Sequence, residues 1–301
     1  MNAAIRWMMA GLMAGAALMS AMVAGGCQAS RSDSYTLDVA ATTGLIAVDI
    51  ENFRGTVEVR SGAKGDRITV SSDAEVNPLH AEEDRARILA GISVDATLEE
   101  DGARAVLRVR STSASVGSED HRVHLVVRAP RVDGVRVVNA GGDVVVVGAG
   151  GATEITNRFG AIELRTDKAM NDPVTLLNVE GNIYYQVPKT STGAFDLETL
   201  EGVVRYRDRV ASTDRVYAAP RIHQARLNEG TNPVLARTNK GDVMVWVDKD
   251  PVALTRIIKK SFPDPRDLLF QQGSRRYTRN LPEDHPEVTG SLRSRKYMFY
   301  D

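Results

Sequence analysis

The chain is poor in several things, and each shortage excludes something. Cysteine occurs once, at Cys27, so no internal disulfide can staple the fold. Aromatic residues make up only 5% of the chain, against 25 glycines and abundant Val and Ala, which argues against a large aromatic core and for many short strands. Neither sign of charge is in surplus, with 38 Lys plus Arg facing 39 Asp plus Glu, so no global field steers the molecule to nucleic acid. After one apolar run near the N-terminus, no second run of membrane-spanning length follows. What remains is 301 residues that are 43% hydrophobic, enough for a substantial core.

That one apolar run, Trp7 to Ala24, follows a single charge, Arg6, and ends in the small residues of VAGGC. Basic start, apolar centre and small residues are the order of an export signal, with an uncleaved anchor helix as the alternative. Cys27 directly follows Ala24, Gly25 and Gly26, where a bacterial lipoprotein signal would end. The segment resembles such a signal, although Ala24 stands where Leu is usual; a plain signal peptide with an incidental cysteine is the other reading. The resemblance implies cleavage before Cys27, acylation of its thiol, and membrane lipid as a partner held by several acyl chains, where one alone would be marginal. Gln28 and Ala29 lack the aspartate that retains such proteins at an inner membrane, so the expected address is the outer membrane of the cell envelope, on its periplasmic or its outer side.

Two stretches, TEITNRFGAIELRT from Thr153 and VTLLNVEGNIYYQVP from Val174, share one pattern. Aligned on the glycine, that pattern occurs six times, at Gly55, Gly142, Gly160, Gly181, Gly202 and Gly241. Three residues before stand Asn52, Asn139, Asn157, Asn178, Thr199 and Thr238; apolar residues stand two and four after. Alternation on both sides of each glycine predicts strand, turn, strand. Glycine supplies a backbone conformation that is costly for other residues, and Asn or Thr can bond the local backbone at the bend. Spacings of 18, 21 and 21 residues from Gly142 to Gly202 match one coil of a β-solenoid, with equivalent strands stacking in parallel about 4.8 Å apart. No single coil has an interior of its own; its neighbours provide one.

The longer intervals carry other signals. Pro78 to Ala90 reads as a short helix with Leu79, Ala86 and Leu89 on one side, followed by strands at Ile92–Leu98, Ala105–Arg110 and His121–Arg128, with a hairpin turn at Asp101 and Gly102; the region reads either as irregular coils or as a sandwich-like sheet joining the solenoid. The 39-residue interval from Gly202 to Gly241 is expected to hold a degenerate coil. Asp250 to Phe262 reads as a second short amphipathic helix, and the tail bearing Arg275, Arg276, Arg279, Arg293, Arg295 and Lys296 as a cap or, alternatively, a contact for anionic envelope polymers. The expected division is 1–26 export signal, 27–34 linker, 35–248 repeat domain and 249–301 cap and polar tail.

The run EEDRARILAGISVDATLEEDGARAVLRVRS, then HRVHLVVRAPRVDGVRVVNAGGDVVVVG, then N-x-x-G-x-[IV] coils with the QVP step at Gln186–Pro188, resembles the "putative adhesin" family of bacterial envelope proteins labelled DUF4097, over roughly Tyr35 to Val247. That resemblance implies a single-stranded, right-handed parallel β-solenoid, all-β apart from the two short helices, and a role in adhesion, with no catalytic residues to transfer.

Groupings of residues that could carry chemistry are few. His121 and His124 are three apart on an expected strand and face opposite ways, a poor metal pair read instead as solvated histidines. Glu99, Glu100 and Asp101 lack the ligand spacing of a calcium loop, and GAGG at Gly148–Gly151 lacks the third glycine of a dinucleotide fingerprint. No nucleophile elbow is present. Neither metal nor cofactor is therefore expected. Three and five residues past the six glycines lie outward-facing side chains, of which Tyr184, Arg165, Arg207 and Trp246 are candidates for gripping a glycan or protein partner; a merely solubilising set of Arg and Glu pairs is the alternative. The leading expectation is a lipid-anchored, non-enzymatic envelope protein presenting a repetitive surface for adhesion. A carbohydrate-active β-helix enzyme resembling a polysaccharide lyase, or an accessory of an envelope stress or signalling system, are the alternatives.

Overall fold

The computed structural model describes residues 30–38, 45–62, 67–77, 80–101, 104–114, 121–210 and 213–252. The export signal, Cys27, Leu79, most of the helix expected over 250–262 and the basic tail lie outside these residues. In chain order the elements are β1 (Ser30–Asp38), β2 (Ile46–Asn52), β3 (Val57–Ser61), β4 (Arg67–Val76), α1 (Glu82–Ala90), β5 (Ile92–Asp101), β6 (Arg104–Ser113), β7 (His121–Ala129), β8 (Val132–Asn139), β9 (Val144–Val147) and β10 (Gly150–Phe159). They continue with β11 (Ile162–Arg165), β12 (Val174–Glu180), β13 (Ile183–Pro188), β14 (Gly193–Glu201), β15 (Val204–Asp208), β16 (Thr213–Ala219), β17 (Ile222–Leu227), β18 (Pro233–Lys240) and β19 (Val243–Asp248). The strand β1 begins within the stretch read as a linker.

The described residues are all-β apart from α1, with two large sheets of mixed orientation and no closed barrel among them. Sheet A has nine strands in the order β1-β4-β7-β3-β9-β11-β13-β19-β15; sheet B has ten, β16-β17-β14-β18-β12-β10-β8-β2-β6-β5. Each glycine motif sends its first strand to sheet B and its second to sheet A, and equivalent strands pair in parallel. The turn residues stack as the motif predicts. Asn52, Asn139, Asn157, Asn178, Thr238 and Thr199 are in register across successive strands.

Two features correct a parallel solenoid wound in chain order. The strands at both ends pair antiparallel: β1 with β4, β4 with β7 and β5 with β6 at one end, β14 with β17 and β17 with β16 at the other. Stacking order also departs from chain order. The Gly241 motif, sixth in sequence, inserts between the fourth and fifth, because β18 lies between β12 and β14 and β19 between β13 and β15. Residues 213–227 form no degenerate coil; they make the β16–β17 hairpin that extends sheet B. Likewise β6 and β7 form a coil without the glycine motif, placed under the first copy.

The glycines explain why the coils approach so closely. A Cβ on Gly142 would sit 2.4 Å from the Gly55 carbonyl oxygen, one on Gly160 2.4 Å from that of Gly142, and one on Gly181 2.0 Å from that of Gly160. The column continues through Gly241 and Gly202 in stacking order, at 2.3 and 1.9 Å. Gly160 also has φ +105, whereas Gly202 lies outside the left-handed region, so closeness rather than backbone freedom fixes glycine there.

Between the sheets, inward columns run the length of the stack. One joins Val57, Val144, Ile162, Ile183, Val243 and Val204; the next joins Val59, Val146, Leu164, Tyr185, Val245 and Tyr206. Opposite them on sheet B stand Ile50, Val137, Ile155, Leu176, Ala236 and Leu197. Most of these side chains are wholly buried, which makes apolar burial the main stabilising term. The helix α1 links the two sheets at one end and buries no residue fully; Ala86 is exposed, and Leu89 packs partly against the core. The expected strands after it are present as β5, β6 and β7.

Candidate interaction surface and end groove

At the turns the Asn side chains form a buried ladder. Asn52 Nδ2 donates to Asn139 Oδ1 and Asn139 Nδ2 to Asn157 Oδ1, both at 3.1 Å. Asn157 Nδ2 also donates to the carbonyls of Gly142, Phe159 and Gly160, and Asn178 Nδ2 to that of Gly160 at 2.8 Å. Thr238 and Thr199 take over the task with hydroxyls bonded to the Gly181 and Gly241 carbonyls. The six positions are thus structural: they satisfy bend carbonyls that burial would otherwise leave unpaired.

The outer faces of the two sheets differ. Sheet B carries a lattice of opposed charges, in which Arg136 meets Asp49 at 2.8 Å and Glu51 at 3.2 Å, Arg110 meets Glu51, and Arg237 meets Asp196 at 2.9 Å. Such exposed pairs solubilise a sheet and add little else. On sheet A the register aligns Arg128, Arg60, Val147, Arg165, Gln186, Trp246 and Arg207 in one row. The four candidate residues are therefore brought together: Arg165, Trp246 and Arg207 share the row, and Tyr184 stacks on Trp246 with centroids 6.3 Å apart and planes 10° apart. Glu58 pairs with Arg60, and Glu163 with Arg165 at 3.2 Å. Burial, then the neighbouring Arg128 and Arg165, lowers the pKa of Arg60. The centre of the row is shielded, with Arg165 at 8% and Trp246 at 7% exposure, while Tyr184, Arg205 and Arg207 are half-buried and Arg128 is exposed.

The two histidines of HRVH do face opposite ways, but they are not simply solvated. His121 is buried beside Phe53, with ring centroids 5.2 Å apart. His124 accepts the Thr56 backbone N–H at Nδ1, and its Nε2 lies 3.8 Å from Glu75 Oε2. His124 and then Arg122, which donates to that oxygen at 2.6 and 2.8 Å, hold the Glu75 carboxyl down to about 2. The 3.8 Å contact is electrostatic; the Arg122 contacts are true hydrogen bonds. Glu99 of the acidic trio pairs with Arg108 at 2.9 Å.

A site not visible as a unit in the sequence lies at the far end of the stack. Sheet A stops at β15, while sheet B runs on through β17 and β16, so among the described residues the inner face of that hairpin has no opposing strand. The register puts Arg215 beside Ala225 and Phe195, and His223 beside Leu197, on that inner face. Facing them across the gap is β15. Two adjoining cavities, of about 710 and 440 Å³, share Tyr206, Arg207, Arg215 and His223 as lining; Asp208 and Arg209 complete the larger and Arg205 the smaller. Tyr206 and His223 stack at 5.1 Å and 11°, with Phe195 edge-on to Tyr206 at 5.3 Å. Burial pushes the Tyr206 hydroxyl up to about 12 despite its 3.1 Å hydrogen bond to Thr213. Burial, then Arg215, lowers the His223 pKa.

Among the described residues no helix is long and apolar enough to cross a membrane. No protein-family model matches the chain, and no curated protein matches it. Among solved structures, the chain is similar to a "putative cell adhesion protein" from Clostridium sporogenes, with TM-score 0.52 and 8% identity, covering 72% of this chain and 99% of that one. A "putative adhesin" from Bacteroides fragilis also matches, with TM-score 0.25 and 8% identity over 72% of this chain and 96% of that one. At such identity the first likeness is one of fold.

Proposed function

We propose that this chain is a lipid-anchored, non-enzymatic protein of the bacterial cell envelope that presents its stacked strands as a rigid surface for adhesion to a protein or glycan. The observation that carries this reading is the row on sheet A, where Arg165, Gln186, Trp246 and Arg207 follow one another on separate coils, with Tyr184 stacked on Trp246 and with Tyr184 and Arg207 the more accessible members. Aromatic and arginine side chains are the usual anchors of recognition, and a row fixed by backbone register loses little entropy on binding. Display of many anchored copies would multiply shallow individual contacts. The likeness of fold to a protein named for cell adhesion supports the same reading, as does the resemblance to the DUF4097 family. The coil stack is read as right-handed, the hand that parallel crossovers take.

Anchoring rests on Cys27 and is tested by fractionation: the wild-type chain should pellet with outer membrane, and Cys27→Ala should be released. Adhesion is tested with cells displaying the full chain. Tyr184→Ala combined with Arg207→Ala should lower attachment about tenfold, with folding unchanged by circular dichroism; undiminished attachment would count against this surface.

A further inference from the structure

The end groove has a chemistry of its own. Four arginines, Arg205, Arg207, Arg209 and Arg215, line it against a single carboxylate, Asp208. That carboxylate is already engaged, since the Thr213 hydroxyl donates to Oδ2 and the Val210 N–H to Oδ1 at 3.0 Å. Arg209 has a distant partner in Asp248 at 3.9 Å, whereas Arg205 and Arg215 have no ion-pair partner among the described residues. His223 lines both cavities while only 6% exposed, and its Nε2 is buried with no hydrogen-bond partner. A buried polar atom left unsatisfied is uncommon in a native fold and marks a place where a ligand can supply the missing bond.

We propose that this groove binds the carboxylates of an acidic glycan, a chain of uronic-acid units. The guanidinium is planar and forked, matching a carboxylate with two parallel hydrogen bonds. Arg205 on β15 and Arg215 on β16 both line the smaller cavity, and Arg209 and Arg215 the larger, so the ligand this lining fits carries more than one negative group. The combined space suits a short oligosaccharide rather than a lone ion. The His223 imidazole, stacked on Tyr206, lines both cavities. The proposal deepens the adhesion reading by naming its ligand class and rests on it for the supply of such a polymer at the envelope; the binding itself needs only the groove.

The test is calorimetric titration of the full chain in detergent with a trimer of galacturonate, its carboxyl-reduced neutral counterpart, and inorganic phosphate. The galacturonate trimer is expected to bind and the neutral trimer not to. Arg205→Gln and Arg215→Gln should each weaken binding about tenfold. Arg226→Gln, the same charge change on the exposed side of the hairpin strand β17, should leave it unchanged. Equal binding of the neutral trimer, phosphate binding without trimer binding, or equal losses in all three variants would each overturn the assignment. Release of an unsaturated sugar product would sustain the site and overturn the non-enzymatic reading, which keeps the two failures apart.

Discussion

At the residue scale, the fold depends on what a bend can bury. Asn157 makes four contacts in a buried ladder, its two N–H groups shared among three carbonyls and its oxygen accepting from Asn139, and Ala there would leave the carbonyls of Gly142 and Gly160 with fewer partners. Asn157→Ala should cost about 2–4 kcal/mol, read as a lowered denaturation midpoint. Its neighbour Gly160 tests closeness: Gly160→Ala forces a methyl to within 2.4 Å of the Gly142 oxygen and should cost more than about 3 kcal/mol. Gly62→Ala, at φ +93 with nothing within 4 Å, should cost only about 1 kcal/mol from the backbone alone. Equal costs at the two sites would contradict the close-stacking account. Glu75 gives the pH dependence. Its carboxyl titrates near 2 in the fold against an ordinary 4.5, so its contribution is present above about 4.5 and is lost as pH falls through 2. Glu75→Gln should therefore lower stability by about 2 kcal/mol at neutral pH, discounted for the exposure of Arg122, and the gap to wild type should close on acidification.

At the element scale, legibility followed locality. The six strand-turn-strand units could be read because all the information for each lies within a dozen residues: a glycine, an Asn or Thr three before it, and alternation on both sides. The offsets from the glycine also fix the face that carries Tyr184, Arg165, Arg207 and Trp246, but not their accessibility: Arg165 and Trp246 are buried. The hairpin β16–β17 could not, because its burial is decided by β14, and a strand whose residues are almost all exposed, such as β16, shows little alternation to detect. The groove was illegible for that reason: Arg215 and His223 reach Tyr206 only through that pairing. His121 deceived in a similar way, its burial coming from Phe53 on another coil. The same difference predicts dynamics. Val216, 68% exposed at a register shift in an edge strand, has neighbours on one side only, whereas Ile162 is buried between two paired strands. Hydrogen exchange should strip protection from β16 well before β11; simultaneous exchange of the two would argue that the hairpin is integral to the stack.

At the scale of the whole molecule, the sequence pattern specifies what a coil is but not which coil lies next to it. Every motif offers a similar column of glycine, Asn or Thr, and apolar or aromatic residues, so parallel pairing is permissive about neighbours. The choice falls to the ends. Once β17 pairs antiparallel with the far side of β14, the chain must return, and the Gly241 motif fits between the fourth and fifth copies with its valines continuing both core columns. Mixed sheets follow from the same economy of edges: antiparallel strands cap sheet B at both ends and sheet A at one, covering parallel strands whose bare edges would otherwise recruit other chains, while β15 remains the edge of sheet A at the far end.

The insertion is the claim most directly open to measurement. Glu180 and Lys240 are register partners joined by a 2.9 Å ion pair, and Lys240 is in turn the partner of Glu201. In a Cys27→Ala background, Glu180→Cys with Lys240→Cys should oxidise readily to a disulfide in the native protein, as neighbouring strands bring the Cα atoms within bridging range. Glu180→Cys with Glu201→Cys, which a stack wound in chain order would place side by side, should stay reduced. A disulfide in the second pair and none in the first would contradict the account.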